Sequence, residues 1–311
     1  MAFRRLPRFK RAAQVEPIQL TERDREIIRL VHRHRLLRSS HIVSLVPGSA
    51  QQLLRRLQLL YHHGYLERPR AQIDYYQNGG SHHIVYGLGN KGWTWLKREP
   101  GTRFLDLRGA GQNRAIGRMF LAHELLVSDV MVAIELSCRR NGIRLLTERE
   151  LVRASGATGR HQPFRWRVKV NGRLQLSVIP DRVFALEFKG RDGEDNRALF
   201  FLEADRGTMP IIRKNLFQTS FYRKLLAYEA TWSQSIHRSR FDFNRFRVLT
   251  VTTNAERVRS LVDACSKLKR GHGLFLFADR TILGKTSDLF SPIWQSARQG
   301  ERMSLLGSQT Y

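Results

Sequence analysis

Residues 176–208 read Leu-Ser-Val-Ile-Pro-Asp-Arg-Val-Phe-Ala-Leu-Glu-Phe, then Lys-Gly-Arg-Asp-Gly-Glu-Asp-Asn, then Arg-Ala-Leu-Phe-Phe-Leu-Glu-Ala-Asp-Arg-Gly-Thr. Two apolar, aromatic-rich runs joined by a polar, glycine-bearing turn predict a β-hairpin. Closure symmetric about Asp192 sets Asp181 beside Glu203 and Glu187 beside Arg197. Asp205, two residues beyond Glu203, shares its face by the period of two. Three carboxylates then crowd one patch, and like charges opposed across a sheet destabilise it unless a cation or a protein base neutralises them. Strand start and polar strand exit, with salt-bridged arginines, is the structural alternative for any one of these acids. Glu187 and Lys189 form a second acidic and basic pair, but Glu187 lies roughly 20 Å along the strand from Asp181 at about 3.3 Å per residue. Its expected partner is Arg197.

The rest of the chain is ample for two cored domains: 311 residues, 41% hydrophobic and 10% aromatic. Charge is the unusual quantity. Fifty-four Lys plus Arg against 27 Asp plus Glu give a net charge of +27, which repels itself without a polyanion. The bases are spread along the whole chain, which favours an extended phosphate-tracking surface over a local membrane patch. Double-stranded DNA is the expected partner. Cys138 and Cys265 match neither a zinc cluster nor a disulfide framework, so a reducing cytoplasm is expected. No apolar run approaches the roughly 20 residues of a membrane span. Residues 1–18, with Arg4, Arg5, Arg8, Lys10 and Arg11, read as a basic disordered arm.

Residues 19–97 carry three helices and a hairpin. Thr21-Glu-Arg-Asp24 is a capping-box start to the first helix. The third, from Ser49 to about His63, turns Leu53, Leu54, Leu57 and Leu60 inward and leaves Gln51, Gln52, Arg55, Arg56 and Gln58 outward, with Gly64 as its stop. Two strands follow around Asn78-Gly79-Gly80, with Arg68, Arg70, His82 and His83 in the wing. This is the pattern of a winged helix-turn-helix, with Gln51, Gln52, Arg55, Arg56, Arg68 and Arg70 as candidate DNA contacts. A structural winged helix that binds protein is the alternative.

Residues 98–112 read as a linker and 113–295 as a second domain. It opens on a long helix, 113–139, striped by Ile116, Phe120, Val127, Met131 and Ile134, with His123 and Glu124 as a polar interruption that is either an interior pair or part of a site. A strand near 143–146, the hairpin, a helix over 209–231, a strand over 246–252, a helix over 255–268 and a strand over 274–278 complete the pattern. Residues 296–311 are a tail, and Trp294 is expected to pack back.

Helix, three strands, helix, strand, with Pro180-Asp181 opening the second strand and an acidic pair closing the third, resembles the core of the PD-(D/E)xK nuclease superfamily. The fold class expected is therefore α+β or α/β: an N-terminal winged helix-turn-helix followed by a restriction-endonuclease-like αβββαβ domain. The second motif departs from that superfamily, since Asp205 stands where its lysine usually stands. Lys214 is the candidate relocated lysine, and Gln218-Thr-Ser-Phe-Tyr222 has the Gln-x-x-x-Tyr spacing of RecB-like members. Joined to the winged helix, the chain resembles the replication-relaxation family of bacterial plasmids and mobile elements. The residues that carry the resemblance are Tyr86-Gly-Leu-Gly-Asn-Lys-Gly-Trp93, His123 with Val127-Ser-Asp-Val130, Pro180-Asp181, Phe201-Leu-Glu-Ala-Asp-Arg-Gly-Thr208 and Lys224-Leu-Leu-Ala-Tyr228.

The resemblance implies a DNA-binding replication or mobilisation factor, with a relaxase, a replication initiator or a second copy of the chain as protein partners. An active Mg2+- or Mn2+-dependent nuclease is the alternative. In that case Asp181 and Glu203 hold the ion, Glu124 or Asp205 completes its shell, and Lys214 assists the attacking water, with Gln218 a further catalytic candidate. A winged-helix transcription regulator with a dimerising C-terminal domain is the third reading.

Overall fold

A computed structural model describes residues 7–73, 83–99, 113–154, 163–171, 174–190, 193–285, 288–298 and 300–307. The fold is mixed α+β, in two compact units, 1–132 and 133–311. The boundary falls inside the helix Arg118–Asn141, some way beyond the expected start of the second domain at 113. Asn78, Gly79, Gly80 and His82 of the wing, most of the expected linker, and Asp192 lie outside the described residues.

In the first unit, α1 (Glu22–His34) starts on the expected capping box: Thr21 Oγ1 accepts from the Asp24 N–H at 3.2 Å, and the Asp24 carboxylate accepts from the Thr21 N–H at 2.8 Å. Then come β1 (Leu36–Arg38), α2 (Ser39–Leu45), α3 (Ala50–His62), β2 (Leu66–Glu67), β3 (Val85–Leu88), α4 (Asn90–Arg98) and α5 (Arg118–Asn141). The strands form an antiparallel sheet of order β1-β3-β2. β2 and β3 are preceded by three helices. Ile27, Ile28, Val31, Leu53, Leu57 and Leu60 are all buried between them. Leu54 departs from expectation and is 47% exposed among the polar residues of α3. Gly89 and Gly92 let α4 lie directly on the turn after α3: a Cβ at either position would come within 2.4 Å of the Gly64 carbonyl oxygen or 2.3 Å of that of Tyr65.

The basic arm is engaged over part of its length rather than free. Arg11 donates to the Tyr61 and Leu66 carbonyls and pairs with Glu67 at 2.8 Å. The Ala12 N–H donates to Nδ1 of His62, a ring that burial, then Arg68 and Arg11, depress to a pKa of about 4 and so keep neutral.

The second unit continues with β4 (Arg144–Thr147), α6 (Glu148–Ala154), β5 (Trp166–Asn171), β6 (Leu174–Val178), β7 (Arg182–Lys189), β8 (Asp195–Ala204), α7 (Phe221–Ser233), α8 (Ile236–Phe241), β9 (Arg247–Thr252), α9 (Ala255–Ser266), β10 (Phe275–Asp279), α10 (Ile282–Lys285), β11 (Trp294–Ser296) and β12 (Arg302–Met303). Its main sheet has the order β12-β11-β10-β9-β8-β7-β4. The hairpin closes in the expected register, with Arg182 opposite Leu202 and Glu187 opposite Arg197. β4 is antiparallel to β7, and β9 and β10 run parallel to β8. The succession α5, β4, β7, β8, α7, β9 follows the order αβββαβ, interrupted by α6, a separate β5–β6 ribbon and α8.

That ribbon is fixed by alternation: Trp166, Val168, Leu174, Leu176 and Val178 are buried. It packs on α7, where the Trp166 indole N–H donates to Thr231 Oγ1 at 2.9 Å. Trp294 is fully buried, as expected, in a strand that extends the sheet.

The helix expected over 209–231 is shorter. α7 begins only at Phe221, and 209–220 form neither helix nor strand. Asn215 explains part of this, because its Oδ1 accepts the Phe217 N–H at 2.8 Å and its carbonyl accepts the Gln218 N–H at 3.1 Å, a local turn that competes with helix.

Candidate functional site

Two sites were expected, one in each unit. In the second unit the open ends of β7 and β8 bring Asp181 and Glu203 together. The Asp181 N–H donates to Leu202 O at 3.0 Å, and Asp181 Oδ2 accepts the Ala204 N–H at 2.7 Å, which continues the ladder by one side-chain rung. Glu203 is 2% exposed, and both its oxygens are occupied. Oε1 accepts from the Tyr228 hydroxyl at 2.6 Å, and Oε2 pairs with Lys224 Nζ. Lys224 and Tyr228 lie four apart on α7 and so project from one face toward the strand end.

Burial, and then the Asp181 charge, push the Glu203 carboxyl above the usual range despite the pull of Lys224. Burial alone would lower the Lys224 ammonium. Glu203 and Asp181 outweigh it and hold the ammonium above its usual value, so Lys224 is a cation at neutral pH. Tyr228 is buried and pushed well above its ordinary value by burial and Glu203. It is therefore a fixed hydrogen-bond donor, not an accessible nucleophile.

Asp205 has its own base. Arg257 of α9 donates to Oδ2 at 2.8 Å and to Oδ1 at 3.3 Å, and Thr252 Oγ1 and the Gly207 N–H complete the set. The three carboxylates expected beside one divalent ion, Asp181, Glu203 and Asp205, stand among protein bases. Lys224 bonds Glu203 and Arg257 bonds Asp205, and the charges of Asp181 and Asp205 also act on Lys224. Among the described residues no three His, Cys, Asp or Glu groups stand together as a metal-binding set. The oxygens of Glu203 and Asp205 accept from protein donors: Lys224 and Tyr228 for the one, Arg257, Thr252 and the Gly207 N–H for the other.

Three further expected site residues lie elsewhere. Lys214 and Gln218 belong to the segment before α7, both exposed, and the Gln218 side chain accepts from Arg213 at 3.4 Å. They do not sit on a helix with Tyr222. Glu124, buried in α5, is paired with Arg35 of the first unit at 3.2 Å, and that guanidinium also covers the Phe120 ring at 4.4 Å. Sequence reasoning named Lys224 and Tyr228 only for the family resemblance, without a role at the site, and passed over Arg257. The four-residue spacing of Lys224 and Tyr228 was the available signal.

In the first unit, Gln51, Gln52 and Arg55 are exposed on α3, and Arg70 is exposed in a short turn, 70–72. Gln52 and Arg55, with Thr21, Arg23, Arg56 and Leu59, line an open cleft of about 550 Å3. Two of the expected contacts are engaged within the fold. Arg56 donates through Nε to Asp24 Oδ1 at 2.9 Å and pairs through Nη2 with Oδ2 of the same fully buried carboxylate. Burial would raise the Asp24 carboxyl, but Arg56 and Thr21 outweigh it and hold it below the usual range. Arg68 is 4% exposed and lies between the Tyr61 and Tyr86 rings, at 4.1 and 5.1 Å from their centroids, with a 3.0 Å bond to the Tyr86 hydroxyl. It is an interior clamp rather than a wing contact.

Residues 28–244 match the family model described as replication-relaxation. No curated protein and no solved structure matches the chain. Among the described residues no helix is long and apolar enough to cross a membrane.

Proposed function

The chain belongs to the replication-relaxation family, with a replication-related function, and on that premise we propose that it is a DNA-binding replication or mobilisation factor of a plasmid or other mobile element. Its first unit holds duplex DNA through α3. The observation that carries this reading is the face of α3 where Gln51, Gln52 and Arg55 stand exposed beside Arg23 in the basic cleft. Amides and guanidiniums are the groups that bond base edges and phosphates, and a chain of +27 net charge supplies the long-range attraction. A relaxase or a replication initiator is the protein partner such a role calls for.

The test is duplex affinity against salt. Several phosphate contacts predict a loss of order 10³ between about 50 and 200 mM salt. Arg23→Ala with Arg55→Ala should weaken binding and flatten the slope. Affinity independent of salt, or unchanged in the double variant, removes this surface from the reading.

Phosphodiester cleavage is a second reading, favoured by one observation: Lys224 lies against Glu203, beside Asp181, and could fill the part expected of Lys214. A cation held there can stabilise charge on a phosphate. Supercoiled DNA incubated with the wild type and with Glu203→Gln, in Mg2+, in Mn2+ and in chelator, tests it. Nicking by the wild type that Glu203→Gln abolishes supports cleavage, and intact DNA in every arm rejects it.

A further inference from the structure

Residues 209–220, which join β8 to α7, are ordered by their own hydrogen bonds. The Phe221 and Tyr222 N–H groups donate to Pro210 and Ile211 carbonyls at 2.9 and 2.8 Å, and Arg257 Nη2 holds the Met209 carbonyl at 2.6 Å. At the tip, Arg213 Nε donates to Thr219 O at 3.1 Å, and Arg223 Nη1 donates to Phe217 O at 2.9 Å. Two guanidiniums thus flank the backbone on which Phe217 stands, and Phe217 is 69% exposed. A segment built this tightly has ample means to turn an aromatic ring inward, yet it presents the ring to solvent.

The chemistry around the ring selects its partner. From Arg206 to Tyr228 there is no acidic residue, and Arg206, Arg213, Lys214, Arg223 and Lys224 supply five bases. A protein-docking patch would be broader and more apolar at its centre. An exposed ring among guanidiniums, with Ile212 the other large apolar side chain the segment exposes, is the arrangement that stacks a nucleobase while its phosphates meet cations. Only an unpaired base offers its face. The segment also leads directly into the first turn of α7, where Arg223 is followed by Lys224 at Glu203.

We propose that the 209–220 segment is a binding platform for single-stranded DNA, with an unpaired base stacked on Phe217 and the adjoining phosphates on Arg213, Lys214 and Arg223. A strand so held runs toward the Asp181, Glu203 and Lys224 group. The proposal deepens the DNA-binding reading and rests on it, but it assigns single-stranded DNA to the second unit where that reading assigns duplex to the first.

The test uses the full chain with labelled oligo(dT) and a labelled duplex of equal length, read by fluorescence anisotropy at about 50 mM salt. Phe217→Ala should weaken oligo(dT) binding about tenfold or more, the scale of one lost base stack, and leave duplex binding unchanged. Phe217→Trp should retain oligo(dT) affinity, and Phe217→Leu, apolar but without a π-face, should behave like Phe217→Ala. Oligo(dT) affinity unchanged in Phe217→Ala overturns the platform, as does equal loss on both ligands, or wild-type affinity in Phe217→Leu. A change of sedimentation state in Phe217→Ala with oligo(dT) binding intact also overturns it, in favour of a protein contact. Wild type that binds duplex but not oligo(dT) overturns the platform and leaves the duplex reading standing; the converse result, with the Phe217→Ala loss, does the opposite.

Discussion

Replacing Lys224 by methionine tests the charge balance at the strand ends. Methionine keeps the length and the apolar stem of the side chain, so the loss is chiefly the ammonium. Glu203, 2% exposed, would then retain only the Tyr228 hydroxyl and would still face Asp181. Breaking a buried ion pair by removing one partner costs about 3–5 kcal/mol. The Lys224 side chain keeps 36% of its surface accessible, so solvent screens part of this and about 2–3 kcal/mol is the better figure. At roughly 2–4 °C per kcal/mol for a chain this large, the midpoint at pH 8 should fall by about 4–12 °C.

The pH dependence fixes the cause. Glu203 is already raised above its ordinary 4.5, and losing Lys224 raises it further. A group raised in the folded state contributes stability fully present below its unfolded pKa and lost as pH rises through the folded one. Lys224, also raised, stays charged across the window from pH 4.5 to 8 and adds no titration of its own there. The deficit of Lys224→Met should therefore be small near pH 4.5 and grow toward pH 8, and Glu203→Gln in the same chain should restore most of it. Thermal melts of the three variants and the wild type across that range are the assay. An equal deficit at both ends, or no rescue by Glu203→Gln, would refute the buried-carboxylate account.

Two arginines expected to touch DNA should behave as structural residues. Arg56→Ala strips Asp24 of its base but leaves the Thr21 bonds, and should cost about 2 kcal/mol of stability in urea titrations, whereas Arg55→Ala should leave the urea midpoint unmoved. Because Asp24 is depressed, its contribution is present above its ordinary 3.8 and lost as pH falls through the lower folded value, so the Arg56→Ala deficit should shrink in strong acid. Arg68→Lys should lower the melting midpoint almost as much as Arg68→Ala, by about 1–3 kcal/mol, because an ammonium cannot lie flat between the Tyr61 and Tyr86 rings.

The hairpin was legible because alternation and a polar turn leave a single symmetric register, and Glu187 meets Arg197 there at 2.5 Å as the spacing required. The helices of the first unit were legible from caps and stops, Thr21 and Gly64 above all. What failed was the bookkeeping of charge over distance. Nothing local to α3 reveals that Arg56 answers a carboxylate 32 residues earlier, or that Arg68 turns inward to rings on α3 and β3. The first part of the helix expected over 209–231 is absent for another reason: Ile211, Ile212, Leu216 and Phe217 suggest an apolar stripe, but Asn215 satisfies the backbone locally. The relocated base was therefore sought at Lys214, ten residues before the lysine that meets Glu203.

The clamp made by Arg68 has a kinetic meaning. One guanidinium grips Tyr61 at the end of α3, Tyr86 in β3 and, through Nη1, the main-chain carbonyl of Arg8. Helix, sheet and arm are thereby locked as one piece before any ligand arrives. A surface already held in its working shape gives up little freedom on contact, so its association rate should follow how often partners collide in the right orientation rather than how long the protein takes to rearrange. Loosening the clamp should slow capture even where every group on the outer face of α3 is untouched.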